Sequence, residues 1–453
     1  MVAAHDGTPP AGEVELLVRG DLVLPDGVLR GGAVAVAGGR IVGILGPEQA
    51  VPARRAIDAS GRHVLPGLVD THVHTLSSPA EGIATATAAA AAGGVTTVVD
   101  MPYDAPGPVD HRERLEEKVD LVEAEAHVDV GLYGTIAKVD GLEALPDLIE
   151  GGVLAFKFSL FETDPVRFPR ISDGDLEAAF SALAGHGIPI VLHAELQEII
   201  ERLIRVHQGD DDPRVHTRTR PVVSETGAIA KAMELALWTG ARVHIAHVTH
   251  PHGFQAIEWY RTRGARVSGE TCVQYLALSE DDVVELGPIA KVNPPIRASE
   301  VRERLWEELR EGRIATISTD HAPWPLEAKR RPMLAAASGI PGLETFLPAL
   351  HTEFARRGLP VERMVELACS APARLFGLGA RKGRLAVGCD ADLVIFDPDE
   401  EWCFNASRSL SSARWSPWDG RTLRGRVRST FLRGREVYDG ENVTPAQGTC
   451  LRR

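Results

Sequence analysis

The five cysteines, Cys272, Cys369, Cys389, Cys403 and Cys450, are scattered and include no Cys-x-x-Cys pair. That spacing excludes a zinc knuckle, suggests no disulfide framework, and suits a reducing, cytoplasmic compartment. No apolar run is long enough to cross a bilayer, the alanine-rich tract at 84–92 being far too short. The opening residues lack the basic start and apolar stretch of a secretory leader. Runs of Lys and Arg interleaved with aromatics are absent as well, and a formal net charge of -14 repels phosphate backbones. Neither nucleic acid nor a membrane is therefore an expected partner. What is present is a chain of 453 residues, 44% hydrophobic and 25% charged, which is the composition of a globular protein with a real core. That length exceeds one small core and predicts a large domain with a smaller one.

Residues 13–65 read as short alternating strands between Gly and Pro turns, as at 15–19, 33–36 and 40–44. The style returns at 383–440, so both chain ends are expected to pair into one small β-sandwich. Between them, strands alternate with helical stretches, the signature of βα units around a parallel sheet. Eight candidate strands lie near 68–74, 96–101, 128–134, 154–159, 188–193, 243–248, 265–270 and 314–320. Eight is the number that closes a (β/α)8 TIM-like barrel. The expected organisation is 1–65 as the first part of the sandwich, 66–382 as the barrel, and 383–453 as the second part of the sandwich with a tail. Helical spacing at 177–183, 228–238 and 300–309 reads as scaffold, with Ser224 a candidate helix start.

Metal-competent side chains sit at the ends of several of these strands. His72 and His74, two residues apart behind an apolar run, point to the same side of a strand. His193, His247 and Asp320 each follow another strand-like run, and Lys157 stands between Phe156 and Phe158. In a barrel, reactive groups gather at the C-terminal strand ends. Four histidines, an aspartate and a lysine make sense there as a two-metal centre. A protonated lysine would repel two dications, so Lys157 fits only as a neutral amine or as an anionic N-carboxylated group. His244, three residues before His247, is expected on the opposite strand face. His250, His252 and His321 lie near the expected mouth, as substrate contacts or loop caps. Cys272 reads as a buried, inert thiol.

The segments 66–74, 156–157, 191–195, 244–248 and 319–323 resemble the motifs of the amidohydrolase superfamily, and within it those of the cyclic amidohydrolases. The resemblance implies a carboxylated Lys157 bridging two divalent metals, one held by His72, His74 and Asp320, the other by His193 and His247. It implies zinc first, with nickel, cobalt, manganese or iron also acceptable, and a homo-oligomer, dimer or tetramer. The implied reaction is hydrolysis of a small cyclic amide or ureide, with Asp320 as general base and acid and with Asn293 and His321 as substrate contacts.

Segments 161–176, 270–276 and 416–421 resemble allantoinases in particular, which points to hydrolysis of allantoin to allantoate. Departures fall near the expected pocket. Leu76 stands where dihydroorotases carry an arginine that grips a substrate carboxylate. Residues 75–79 and Val273-Gln274 also differ from the allantoinase pattern, and Asn293 matches dihydroorotases instead. Hydantoinase-type (dihydropyrimidinase) or dihydroorotase-like activity is the alternative. A deaminase or a non-catalytic homologue is the reading from another class, and Lys157 with a complete ligand set speaks against both.

Overall fold

Alternating apolar residues and Gly turns give the first strands, β1 (Val14–Leu24), β2 (Gly27–Ala37), β3 (Arg40–Leu45) and β4 (Ala53–Pro66). The computed structural model describes residues 12–453. The start of the expected 1–65 segment, and the expected lack of a leader there, lie largely outside the described residues. From β4 the chain passes through Gly67 directly into the barrel. A Cβ at Gly67 would stand 2.1 Å from the Thr96 hydroxyl, so only glycine permits this close approach.

The barrel strands are β5 (Leu68–Val73), β6 (Val95–Asp100), β7 (Asp129–Gly134), β8 (Ala155–Ser159), β9 (Ile190–His193), β10 (Val243–Ile245), β11 (Val267–Cys272) and β12 (Thr316–Ser318). They pair in parallel in that order. Closure comes from a bridge between Val73 and His321, where the His74 N–H donates to the His321 carbonyl at 2.8 Å. The eight expected strands are all present, but β10 and β12 stop short of 248 and 320. The cause is local: His247 (φ 41°) and Asp320 (φ 50°) leave the β region for the left-handed one. The scaffold helices run longer than expected, as Asp173–Ala184, Val222–Thr239 and Ser299–Arg310. Ser224 lies inside its helix, which Pro221 opens.

Beyond the barrel follow β13 (Leu393–Cys403), β14 (Thr422–Leu432), β15 (Arg435–Tyr438) and β16 (Cys450–Leu451). The two chain ends meet in one seven-stranded mixed sheet, ordered β15-β14-β13-β4-β1-β2-β3, with β13 antiparallel to β4. Leu16, Val18, Val34, Leu393 and Phe431 belong to an apolar core of its own. The last strand, β16, returns to pair with β7. Beside it the buried Lys382 ammonium meets Asp129 at 2.5 Å, Asp392 at 2.7 Å and Asp390 at 3.1 Å, and Arg433 pairs with Asp129. This ion cluster joins the barrel to the terminal sheet. No helix among the described residues is long and apolar enough to cross a membrane.

Candidate metal centre

Period-two alternation turns Lys157, Val191, His244 and Ser268 to one face at one level of adjacent strands. Lys157 from this layer, with His72, His74, His193, His247 and Asp320 from the strand ends, lines a single cavity of about 360 Å³. Ring centroids lie 5.5 Å apart for His72 and His74, 5.3 Å for His72 and His247, and 4.6 Å for His193 and His247. His72 and His74 bring Nε2 to 3.2 and 3.6 Å from Asp320 Oδ1. These three residues offer ligand atoms that all lie within 4.8 Å of one another. Asn293 lines the same cavity, its Oδ1 accepting from the Ser338 hydroxyl at 3.2 Å.

Each imidazole but one is held from outside on one nitrogen, leaving the other to face inward. His72 Nδ1 meets Glu270 Oε1 at 2.6 Å, and His74 Nδ1 meets Ser77 Oγ at 3.1 Å. His193 Nε2 meets Glu195 Oε2 at 2.8 Å, and Glu195 is in turn paired with Arg220. The inward His193 Nδ1 and His247 Nε2 face each other at 2.9 Å. Such a contact requires either a proton between the two nitrogens or a cation that both lone pairs can share. The exception, His247 Nδ1, is buried without a partner, as is the Lys157 ammonium nitrogen. An outer carboxylate or hydroxyl that fixes the tautomer of an inward imidazole is the arrangement of metal-ligating histidines. The donor set therefore fits divalent metal.

Electrostatics agree with that fit. Burial lowers the basicity of His74 and His193, and that of His247 further still because His193 and Lys157 stand beside it. All three are thus held as neutral donors. Burial would raise Asp320, but His72 and His74 beside it keep its carboxyl below the ordinary value. Glu195 falls to about 2, Arg220 and His193 outweighing its burial. Lys157 is lowered by burial to about 8 despite Glu270 and Asp320 nearby. Cys272 is pushed well up by burial, as an inert thiol should be.

Two expectations change, and His250 takes one of its two expected roles. His321 does not line the cavity: its Nδ1 accepts from the Gly342 N–H at 3.0 Å, and its Nε2 meets Glu81 at 3.3 Å. The left-handed turn at Asp320 breaks the alternation that sequence spacing assumed, so the His321 side chain turns away from this cavity and into the barrel closure. His244 is not turned to the outer face. β10 ends at Ile245, so the offset to His247 carries no strand period, and His244 sits inside with Nδ1 2.8 Å from Ser268 Oγ. His250 caps the helix Pro251–Arg261, accepting from the His252 N–H at 3.2 Å.

Sequence reasoning missed the outer partners Glu270, Glu195 and Ser77, although the first two are charges closing apolar strands. It also missed the cavity wall of Tyr103, Phe161, Phe168 and Trp324. A larger cavity of about 560 Å³ near Trp402, Arg426 and Glu344 has no histidine in its lining.

The amidohydrolase family pattern matches residues 63–437. An allantoinase of Deinococcus radiodurans is 37% identical over 451 residues, 97% of this chain and 99% of that relative. An L-hydantoinase of Paenarthrobacter aurescens is 35% identical over 438 residues, 94% of this chain and 95% of the relative. The solved L-hydantoinase (dihydropyrimidinase) from Arthrobacter aurescens superposes with a TM-score of 0.93 at 34% identity, covering 97% of this chain and 100% of that one. With family motif, full-length relatives and barrel all in agreement, this chain belongs to the amidohydrolase family.

Proposed function

We propose that this protein is a metal-dependent hydrolase of cyclic amides, opening a ring C–N bond in a ureide such as allantoin to give allantoate. The observation that carries the reading is the meeting of four imidazoles, Asp320 and an unpartnered buried lysine in one cavity. Amidohydrolases generally bind a metal, and the finer assignment proposed here is two divalent ions, zinc first. His72, His74 and Asp320 would hold one ion, His193 and His247 the other, with Lys157 bridging them as its N-carboxylate. Ions bound there supply Lewis-acid polarisation of the amide carbonyl and lower the pKa of the attacking water.

The chain's own groups handle position and protons. Asp320, held ionised beside His72 and His74, takes the proton released when water adds to the carbonyl carbon. As the ring C–N bond breaks, Asp320 returns that proton to the departing nitrogen, leaving a carboxylate and a ureido or amide group. Asn293 offers an amide donor and acceptor to the ureide edge. Tyr103, Phe161, Phe168 and Trp324 narrow the cavity and limit bulk water. Among the described residues no arginine is in the lining, and Arg167 reaches only its edge, donating to Ser77 O at 3.3 Å and the Tyr103 hydroxyl at 3.2 Å, so with Leu76 an anionic ring such as dihydroorotate is disfavoured. The aromatic wall favours hydantoins as the second reading.

The catalytic unit is assigned to 66–382, in a dimer or tetramer within the cytoplasm, which suits five free thiols. The test is hydrolysis of allantoin, hydantoins, dihydrouracil, dihydroorotate and cyclic imides by protein expressed with metal. Turnover of allantoin or a hydantoin, with about two metal ions per chain, is expected. No bound metal and no turnover, or turnover of dihydroorotate alone, refutes the assignment.

A further inference from the structure

One wall of the cavity is a strap, residues 334–339, with no regular secondary structure to hold it. Ala337, Ser338 and Gly339 line the cavity directly. Strap N–H groups have main-chain partners, among them Ala336 on Pro332 O at 2.9 Å, Ala337 on Ala328 O at 3.0 Å and Gly339 on Lys291 O at 2.9 Å, while the strap carbonyls go to side-chain donors. Lys329 Nζ donates to three carbonyls, of Lys291 at 2.9 Å, Ala337 at 3.0 Å and Gly339 at 2.8 Å. Its nitrogen thus faces three acceptors and no carboxylate. Lys291 Nζ donates to Leu334 O at 3.2 Å and Ala336 O at 2.6 Å. The Trp324 indole N–H takes Ser338 O at 2.8 Å. Five of the six strap carbonyls, at 334, 336, 337, 338 and 339, are thus captured by three side chains.

Both lysines are buried, 5% and 1% exposed, and neither forms an ion pair with a carboxylate among the described residues. Burial lowers Lys291 to about 7, with Arg220 adding to the shift, and carries Lys329 well below its ordinary value. Burying two neighbouring lysine nitrogens with no carboxylate beside them is costly. A surface fixed only for stability is met more cheaply by apolar side chains, so the donors point to a requirement for one backbone shape. Gly339 adds to it: at φ 132°, a Cβ there would stand 2.6 Å from Ala322 Cβ, two residues from Asp320.

We propose that Lys329 and Lys291 form a carbonyl clamp that sets the strap and so positions the substrate ring against the metal-facing groups. They are positioning residues, and this role rests on the reading of the cavity as the hydrolytic site. Lys329→Met is expected to raise KM about tenfold with kcat changed less than about threefold. Metal content should stay at the parent's level. Arg330 is exposed at the strap's entry and its bond to Arg331 is a trypsin site, unlike Arg331–Pro332, so trypsin should cut after Arg330 about tenfold faster in the variant. Lys291→Met should act in the same direction, while Lys291→Arg, which keeps a cation able to reach carbonyls, should stay near the parent.

Unchanged KM and cleavage in the methionine variants overturn the clamp. If Lys329→Met does not fold, hydrogen exchange of Lys291→Met against the parent decides. Strap amides exchanging as fast as free loops in the parent, or equally fast in the parent and Lys291→Met, would refute it, and faster exchange in Lys291→Met than in the parent would support it. Should the parent hydrolyse no cyclic amide, the functional reading fails, while proteolysis and exchange still judge the clamp.

Discussion

Lys157 and Lys382 are both buried in the barrel region and differ in everything around them. At the C-terminal end of the strands, Lys157 has no hydrogen-bond partner and is lowered by burial to about 8. Beside the terminal sheet, Lys382 sits among Asp129, Asp390 and Asp392, which outweigh its burial and raise its pKa. A compensated cation ties two parts of a fold together. An uncompensated one is a strained feature, of the kind that gathers at functional sites, and it lies at the end of the barrel where the histidines meet.

The same kind of substitution should therefore have opposite results at the two lysines. Lys157→Ala is expected to lose metal and roughly a thousandfold or more of turnover, with a short carboxylic acid restoring part of both. Lys157→Met in metal-free protein should melt no lower than the parent, because a buried unpaired ammonium is removed. Lys382→Met should leave turnover per folded molecule intact and cost about 3–5 kcal/mol in denaturant titration, since its carboxylates lose their partner. Because the folded-state pKa of Lys382 is raised, its contribution is fully present below the ordinary lysine value of 10.5 and is lost only as pH rises through the folded value. The gap between parent and Lys382→Met should thus hold at pH 7 through 9. A Lys382 variant that loses activity without losing stability would break the comparison.

Smaller effects sharpen it. Glu270 accepts from His72 and, at 3.3 Å, from the His247 backbone N–H, so one carboxylate supports two of the cavity's histidines. Glu270→Gln should weaken metal binding about 10–100-fold, measured by competition with a chelator. Ser77→Ala removes the hydroxyl on His74 and should cost only about two- to fivefold in the same assay.

Much of this was legible in the sequence because barrel strands carry a period. His72 and His74 show it directly, and His193 ends its run at the last residue of β9. The period fails where the backbone leaves the strand. His247 and Asp320 sit at positive φ, and so the side chains of His244 and His321 could not be placed by counting from them. Trp324, Ser338 and Gly339 come from loops, which have no period to read. Glu270 and Glu195 appear in sequence only as charges, and their value lies in which imidazole each one reaches across strands.

The path of β4 also bears on biosynthesis. Its antiparallel neighbour β13 follows the entire barrel in the chain, so Leu65 finds Val394 only after every residue between them has left the ribosome. Until then the edge of β4 remains an open hydrogen-bonding rim on a nascent protein, the kind of edge that recruits other strands. A strand that follows the barrel is thus what covers a strand that precedes it, and translation interrupted within the barrel would yield a chain with that sheet unfinished.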